Sequence, residues 1–253
     1  MKEEASITEN VLIVGALSGI ARSIASELAG QGHSLVLAAR DGEELARTAA
    51  DLRVRHRGVV ETAVFEALDF ESHAALVDTA EGALPGGLSG IIFCAGWMAE
   101  QDVAATDFEA ARKMIDINYT SAVSLLNYAA NVFEARRRGW ICVLSSVAGD
   151  RGRQSNYLYG ATKSALTVYL QGLRNRLTPA GVDVITIKPG CADTGMTYGL
   201  DKLPFVVGPD VIARDVVRGI HRRRSVVYTP RIWWAIMTAI RLIPESLFRR
   251  LKL

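Results

Sequence analysis

Short, unbroken apolar runs recur along the chain, and between them apolar residues return every three or four positions. Unbroken runs are typical of strands buried on both faces of a parallel sheet, and the wider spacing is typical of the helices that pack on it. The runs predict strands at 11–14, 35–38, 62–68, 90–93, 140–144, 182–187 and 226–228. Helices are predicted after the first strand through 28, and over 108–134, 159–177 and 209–220.

Strands that alternate with helices predict an α/β fold, a single doubly wound parallel sheet of Rossmann type with helices on both faces. We assign residues 1–230 to this domain and treat 231–253 as a C-terminal amphipathic extension. Ligands of such sheets bind outside the carboxyl ends of the strands, so residues that directly follow a strand are the first candidates for a functional site.

The turn after the first predicted strand reads GALSGIA. A strand, a glycine-rich turn and a helix in this order can bind a pyrophosphate through backbone amides and the helix N-terminus. A plain βα turn is the alternative. We expect a dinucleotide to contact five residues of the turn: Gly15, Leu17, Ser18, Gly19 and Ile20.

The end of the second predicted strand indicates which dinucleotide is bound. An acidic residue that holds the ribose 2′-hydroxyl of NAD is common here, but this chain has Ala39 followed by Arg40. A guanidinium favours a 2′-phosphate, so we expect NADP(H), with NAD(H) as the alternative. Asp41 is a rival ribose ligand, but Asp41 and Glu44 have the spacing of a capping box and are expected to begin the next helix.

Small residues follow two other strands. Ala95 and Gly96 would let a cofactor lie close to the backbone after the fourth strand, and Pro189 and Gly190 follow the sixth. Residues 195–208 have no regular pattern and are expected to form a mobile substrate lid.

The candidate chemistry lies in the stretch SSVAGDRGRQSNYLYGATK. Tyr159 and Lys163 are four residues apart, so a helix places both side chains on one face. An ammonium beside the phenol would lower its pKa and make Tyr159 a general acid or base, although a solvated helix face is the common explanation of this spacing. Ser146 follows a predicted strand and would donate to a substrate oxygen. Asn118, inside a predicted helix, is expected on a polar face or in a specific hydrogen bond.

Taken together, these residues resemble the short-chain dehydrogenase/reductase family over nearly the whole chain. The resemblance rests on motifs in family order and spacing: Gly15-x-x-x-Gly19-Ile20, Cys94-Ala95-Gly96, Asn118, Ser146, Tyr159-x-x-x-Lys163 and Pro189-Gly190-x-x-x-Thr194. It implies an NAD(P)-dependent oxidoreductase with Tyr159 as proton donor, Lys163 holding the nicotinamide ribose, Ser146 polarising the carbonyl and Asn118 anchoring a water. Tyr157 has no lysine four residues later.

The same resemblance implies that Asp69 contacts the adenine and that Thr194 lies on the nicotinamide side. The chain departs from the family pattern with Val14 in place of threonine, Ala21 in place of glycine and Cys94 in place of asparagine. The four catalytic positions are all present.

DINYTSAVS, the catalytic stretch and the ending RLIPESLFRRLKL also resemble the reductase components of decaprenylphosphoryl-ribose 2-epimerases. That resemblance implies reduction of a 2-keto group on a polyprenyl-phosphate-linked sugar in cell wall biosynthesis, after a flavin-dependent oxidase partner has oxidised the hydroxyl. It also implies NADH, whereas Arg40 favours NADPH.

Composition indicates the class of protein and the cellular compartment. With 49% hydrophobic and 22% charged residues the chain reads as globular and not as disordered. The first ten residues lack an apolar core, so we expect no signal peptide. Three widely spaced cysteines match neither a disulfide framework nor zinc ligands, which favours a reducing cytoplasm and no metal site. We expect no nucleic-acid partner.

The charge is uneven, because residues 221–253 carry a net +7 within a chain of +2. Residues 231–240 are apolar over most of a helix circumference, with a narrow polar stripe at Thr238, Arg241 and Glu245. This segment is too short to span a bilayer and would suit the interface of an anionic membrane at the inner face. Packing in the core or in the homo-oligomer that the family resemblance implies is the alternative. Arg151 and Arg153 are expected either to bind a substrate phosphate or to be solvated.

Overall fold

The computed structural model describes residues 8–195 and 204–251. In this part of the chain seven parallel strands form one sheet in the order β3-β2-β1-β4-β5-β6-β7. The strands are β1 (Asn10–Val14), β2 (Ser34–Ala39), β3 (Val60–Val64), β4 (Gly90–Phe93), β5 (Trp140–Leu144), β6 (Asp183–Pro189) and β7 (Val226–Thr229). The predicted doubly wound parallel sheet is therefore confirmed.

The described residues also form ten α-helices, and helices cover both faces of the sheet. They are α1 (Gly19–Gly30), α2 (Gly42–His56), α3 (Ser72–Ala83), α4 (Gln101–Thr106), α5 (Phe108–Ile115), α6 (Ser121–Arg136), α7 (Tyr157–Leu177), α8 (Pro209–His221), α9 (Ile232–Leu242) and α10 (Glu245–Phe248). Asp41 caps α2 by accepting a 3.0 Å hydrogen bond from the Glu44 N–H, as predicted.

Alternate residues of each strand point to opposite faces, and two buried layers result. On one face α3, α6 and α7 enclose a layer that contains Leu12, Phe93 and Phe133. On the other face α1, α2 and α8 enclose a layer that contains Ile13 and Ile24. Because both faces are covered, polar ligands have access at the strand ends.

Two predicted elements differ from the structure by more than one or two terminal residues. The third strand ends at Val64 instead of 68, because its only neighbour, β2, ends at Ala39 and offers no further partner after accepting from the Phe65 N–H. The predicted helix over 108–134 is interrupted by a π-helical turn at Asp116–Thr120, which separates α5 from α6. Such turns often mark functional sites.

The C-terminal segment packs onto the carboxyl end of the sheet. Trp233 and Met237 of α9 are buried and form a cluster with Val147, which begins the 3₁₀ turn Val147–Asp150 after β5. None of the described helices is both long and apolar enough to cross a bilayer. Of the predicted lid, 196–203 lie outside the described residues, and 204–208 lead into α8.

Candidate active site

The glycine-rich turn after β1 brings three strand ends together. Gly15 has φ +76°, and a Cβ there would lie 2.7 Å from the backbone nitrogen of Ala95, so a side chain is excluded. Ser18 caps α1 by accepting from the Ala21 N–H at 3.2 Å. A Cβ on Gly19 would lie 3.8 Å from the Thr194 methyl, which places the loop after β6 against the start of α1. The turn therefore contacts the loop after β4 through Gly15 and the loop after β6 through Gly19.

Arg40 and Asp69 lie on the surface at the ends of β2 and β3. Arg40 is exposed, and no described carboxylate pairs with it. Asp69 is exposed in the turn before α3, where its carbonyl accepts from the Ser72 hydroxyl at 2.8 Å. The nearby Arg22 is already engaged, because it donates to the Leu17 carbonyl at 3.1 Å and pairs with Glu44 at 2.8 Å. Arg40 is therefore the basic side chain at this edge that is free to meet a ligand.

Asn118 is fully buried in the π-helical turn and makes the specific bonds that its mid-helix position suggested. Its Oδ1 accepts from the Trp97 N–H at 2.7 Å, and its Nδ2 donates to the Trp97 carbonyl at 2.8 Å and to the Thr162 hydroxyl at 3.1 Å. These bonds tie the loop after β4, which contains Gly96, to α7. The turn thus fixes the cofactor-side loop against the helix that carries Tyr159.

Lys163 lies beside the contact between the loop after β4 and α7. Its Nζ donates a 3.0 Å hydrogen bond to the Leu144 carbonyl at the end of β5 and lies 3.5 Å from the position a Cβ on Gly96 would take. Burial lowers the pKa of Lys163 to about 8, against a smaller raising effect from Cys94. Burial has the opposite effect on the Cys94 thiol, whose charged form is the deprotonated one, and raises its pKa to about 12.

Tyr159 is half-buried beside Lys163, whose Nζ lies 5.8 Å from the centre of the phenol ring. Burial raises the pKa of Tyr159 to about 12, and a hydrogen bond with Ser146 lowers it by less. The sequence-based expectation that Lys163 lowers the Tyr159 pKa below its usual value is therefore wrong in this structure, because desolvation of the phenolate is the larger effect.

Ser146 reaches Tyr159 because α7 packs unusually close to the turn after β5. A Cβ on Gly160 would lie 2.8 Å from the Ala148 carbonyl oxygen, and one on Gly149 would lie 2.7 Å from the Lys163 carbonyl carbon. The two glycines allow the helix and the turn to touch through their backbones. The Ser146 Oγ also accepts from the Ala148 N–H at 3.1 Å.

Comparison of the sequence with known protein families identifies the family of this chain. Residues 9–202 match the family described as short chain dehydrogenase. The chain belongs to the short-chain dehydrogenase family. As a member it is an NAD(P)-dependent oxidoreductase that acts on CH–OH groups.

This short-chain dehydrogenase has relatives over nearly its whole length. It is 34% identical over 241 residues to an uncharacterized oxidoreductase of Mycobacterium tuberculosis, covering 95% of this chain and 96% of the relative. It is 32% identical over 253 residues to an uncharacterized oxidoreductase of Streptomyces coelicolor, covering 99% and 98%.

Solved structures agree with the fold. A short-chain dehydrogenase from Sphingobium yanoikuyae in complex with NADPH is 28% identical with a TM-score of 0.80, over 95% of each chain. A 3-oxoacyl-[acyl-carrier protein] reductase from Brucella melitensis with bound NAD has a TM-score of 0.75 at 24% identity, over 87% and 88% of the chains. The two neighbours bind different dinucleotides.

Sequence reasoning missed a buried ionic group in this short-chain dehydrogenase. Asp150, at the end of the turn after Ser146, pairs with Lys188 of β6 and accepts from the Tyr228 hydroxyl of β7 at 2.8 Å. The side chains of Asp150 and Lys188 are nearly inaccessible to solvent. The three residues are far apart in sequence, so no local pattern could have joined them.

Arg151 does not face the site. Its guanidinium donates to the carbonyls of Ile240, Arg241 and Ile243 at 3.2, 3.0 and 2.7 Å and pairs with Glu245 at 2.7 Å. The expectation that Arg151 binds a substrate phosphate is therefore wrong, because its donors already satisfy the C-terminal end of α9. Pro189 and Gly190 lie at the end of β6, where a Cβ on Gly190 would overlap the Trp233 indole.

Proposed function

We propose that this short-chain dehydrogenase is an NAD(P)H-dependent carbonyl reductase. The observation that carries the proposal is the convergence of Asn118, Ser146, Tyr159 and Lys163 beside the glycine-rich turn at the carboxyl edge of one sheet. The chain fits a dinucleotide there. Gly15 lets the turn after β1 pack against the Ala95 backbone, the first turn of α1 has free amides, and Gly96 lies next to Lys163.

The cofactor, when bound, supplies a hydride from nicotinamide C4 to the carbonyl carbon. Ser146 donates a hydrogen bond to the carbonyl oxygen, and Tyr159 then gives that oxygen its phenolic proton. A pKa of about 12 keeps Tyr159 protonated at neutral pH, which suits a proton donor. Lys163 stabilises the phenolate that results and holds the nicotinamide ribose, and Asn118 anchors a water that leads from Lys163 to solvent.

The cofactor favoured by the site is NADP(H), with NAD(H) as the alternative. Arg40 is exposed and unpaired where a 2′-phosphate would lie, Ala39 brings no repelling charge, and Asp41 is occupied as the cap of α2. Asp69 remains the candidate for the adenine, and Pro189, Gly190 and Thr194 for the nicotinamide side.

For the substrate, we propose a keto group on a polyprenyl-phosphate-linked sugar, reduced as the second half of an epimerisation after a flavin-dependent oxidase. This rests on the likeness of the catalytic stretch and the C-terminal ending to epimerase reductases, and on the surface described next. The competing candidate is a reductase of a soluble ketone. The burial of Trp233 and Met237 favours the soluble-ketone reductase, because these two side chains of the tail pack inside the protein and are not available to a membrane.

The outward face of the tail suits an anionic membrane. Apolar side chains that remain largely exposed there are Ile232, Trp234, Leu242, Leu247 and Leu251. Exposed arginines are interleaved with them, and Glu245, the one acid among residues 221–251, pairs with Arg151. Lipid headgroups complement this charge, whereas a second copy placed by a two-fold axis would bring arginines against arginines.

Two measurements test the proposal. Turnover of a ketone panel with NADPH and NADH tests the reductase assignment, and a protein that binds dinucleotide but reduces no ketone would be a non-catalytic subunit. Co-sedimentation with phosphatidylglycerol vesicles tests the surface, with Trp234→Ser expected to lose binding and phosphatidylcholine vesicles as the control. Loss of oligomer instead of vesicle binding in that variant would assign the face to assembly.

A further inference from the structure

Arg151 and Arg153 are two residues apart but have opposite surroundings. Arg151 is fully engaged with the end of α9. Arg153 donates no hydrogen bond to any described residue and pairs with no described carboxylate, although it is only partly exposed and its Nε is buried without a partner. A guanidinium taken out of water without an acceptor is costly unless a ligand supplies one.

The neighbour that Arg153 does meet gives it no counter-charge. Cys191 is its electrostatic partner, and burial raises the pKa of that thiol, so it stays neutral at physiological pH. Burial also lowers the pKa of Arg153 itself, against a smaller raising effect from Cys191. The charge is therefore present and uncompensated among the described residues.

Arg153 is placed by its position in the chain and by its one electrostatic neighbour, Cys191. It lies in the segment that joins the turn after Ser146 to the helix that begins two residues before Tyr159. Cys191, which it faces, follows Gly190 at the end of β6 and belongs to the cluster of Val147 and Trp233. The glycine-rich turn that would receive the cofactor pyrophosphate lies against Thr194, three residues further along the same loop.

A second unpartnered polar atom lies one turn further along. The Asn156 Oδ1 is buried without a partner, while its backbone N–H donates to the Arg153 carbonyl at 3.1 Å. Of the eight buried side-chain polar atoms without a partner among the described residues, the Arg153 Nε and the Asn156 Oδ1 are the two in the segment between Ser146 and Tyr159, where a ligand would complete both.

We propose that Arg153 forms an anion subsite that binds a phosphate ester of the substrate, next to the carbonyl that Tyr159 protonates. The inference rests on the proposed function and adds to it the residue that would bind the phosphate of the substrate. A bidentate guanidinium–phosphate contact would both orient the substrate and compensate the charge.

The test is direct binding of phenyl phosphate, measured by calorimetry on protein saturated with NADPH so that the pyrophosphate cradle is occupied. Arg153→Gln is expected to weaken binding at least tenfold, and Arg138→Gln, an exposed arginine before β5, to leave it unchanged. Because the Arg153 charge is uncompensated, Arg153→Gln is also expected to keep the wild-type melting temperature.

Equal affinity in wild type and Arg153→Gln, or no binding to wild type, would overturn the subsite. A lowered melting temperature in Arg153→Gln would also count against it, because it would assign the arginine to the fold. Failure of the proposed function has a different signature, in which phenyl phosphate binds through Arg153 but no ketone is reduced.

Discussion

Lys163 donates a 3.0 Å hydrogen bond to the carbonyl of Leu144, the last residue of β5 and the second before Ser146. The bond ties the helix that carries Tyr159 to the strand that delivers Ser146, so one ammonium both positions the two segments and charges the site. Deprotonation of Lys163 removes the charge from the site but leaves an amine that can still donate this bond.

The pH dependence of reduction should follow Lys163. Its pKa is lowered to about 8, so the ammonium is present below pH 8 and is lost as the pH rises through that value. Because the ammonium stabilises the tyrosinate that forms, we expect kcat/KM for ketone reduction to be highest below about pH 8 and to fall above it. Tyr159 and Cys94, with pKa values raised to about 12, keep their protons over this range.

The matched variant for this profile is Lys163→Arg, which keeps a positive charge at every accessible pH. It is expected to have lower activity because the guanidinium is larger, with a profile flat from pH 7 to 9.5. A wild-type profile that shows no decline up to pH 10 would contradict the assignment to Lys163.

Tyr159→Phe should remove the proton donor and little else. We expect kcat to fall by about 10²–10⁴-fold, the range for loss of a general acid, with NADPH affinity nearly unchanged in a fluorescence titration. Tyr157→Phe is the matched control, because Tyr157 is an exposed tyrosine on the same helical turn. Similar kcat values for the two variants would contradict the assignment of Tyr159 as the proton donor.

Much of the fold could be predicted because it depends on local pattern. The strands at 90–93 and 140–144 were predicted with the bounds that the structure has, since both are buried on two faces and read as unbroken apolar runs. The third strand was predicted too long, because its end is set by the length of β2 and not by its own residues.

The sequence predicts candidate members of the site but not its electrostatics. The four-residue separation predicts that Tyr159 and Lys163 share one face of a helix, but the Tyr159 pKa depends on burial by segments far away in sequence. The same limit applies to Arg151 and Arg153. They are equivalent in a sequence pattern, and only the packing of α9 shows which of them is already occupied.

Arg40→Ala should raise the KM for NADPH without changing the KM for NADH. If Arg40 binds a 2′-phosphate, the KM for NADPH is expected to rise about tenfold or more, the effect of one charge-assisted contact, while the KM for NADH stays the same. Steady-state kinetics with both cofactors measure this, and Arg138→Ala is the control. An equal change in both KM values would show that Arg40 does not read the phosphate.

Gly160→Ala should separate α7 from the turn that carries Ser146. The new Cβ would lie 2.8 Å from the Ala148 carbonyl oxygen, and overpacking of this kind costs about 1–3 kcal/mol. The melting temperature is expected to fall, together with kcat. Gly172→Ala is the control in the same helix, where a Cβ meets nothing within 4 Å and better helix propensity should add about 0.5–1 kcal/mol. Equal stability of the two variants would refute the close contact.

Arg151→Gln should release the end of α9. The guanidinium satisfies three carbonyls at this helix end and stacks on the Phe248 ring at 4.0 Å, so its loss leaves acceptors unpaired and is expected to cost about 1–3 kcal/mol. Faster amide exchange in the last turn of α9 and in α10, with exchange in β4 and β5 unchanged, would locate the effect in the tail. Arg249→Gln, which removes an exposed arginine of the same tail, is expected to leave exchange as in wild type.

Because α9 also buries Trp233 against Gly190, a loosened tail should raise the KM for a ketone more than it lowers kcat, and an unchanged KM would mean that the tail does not shape the substrate side.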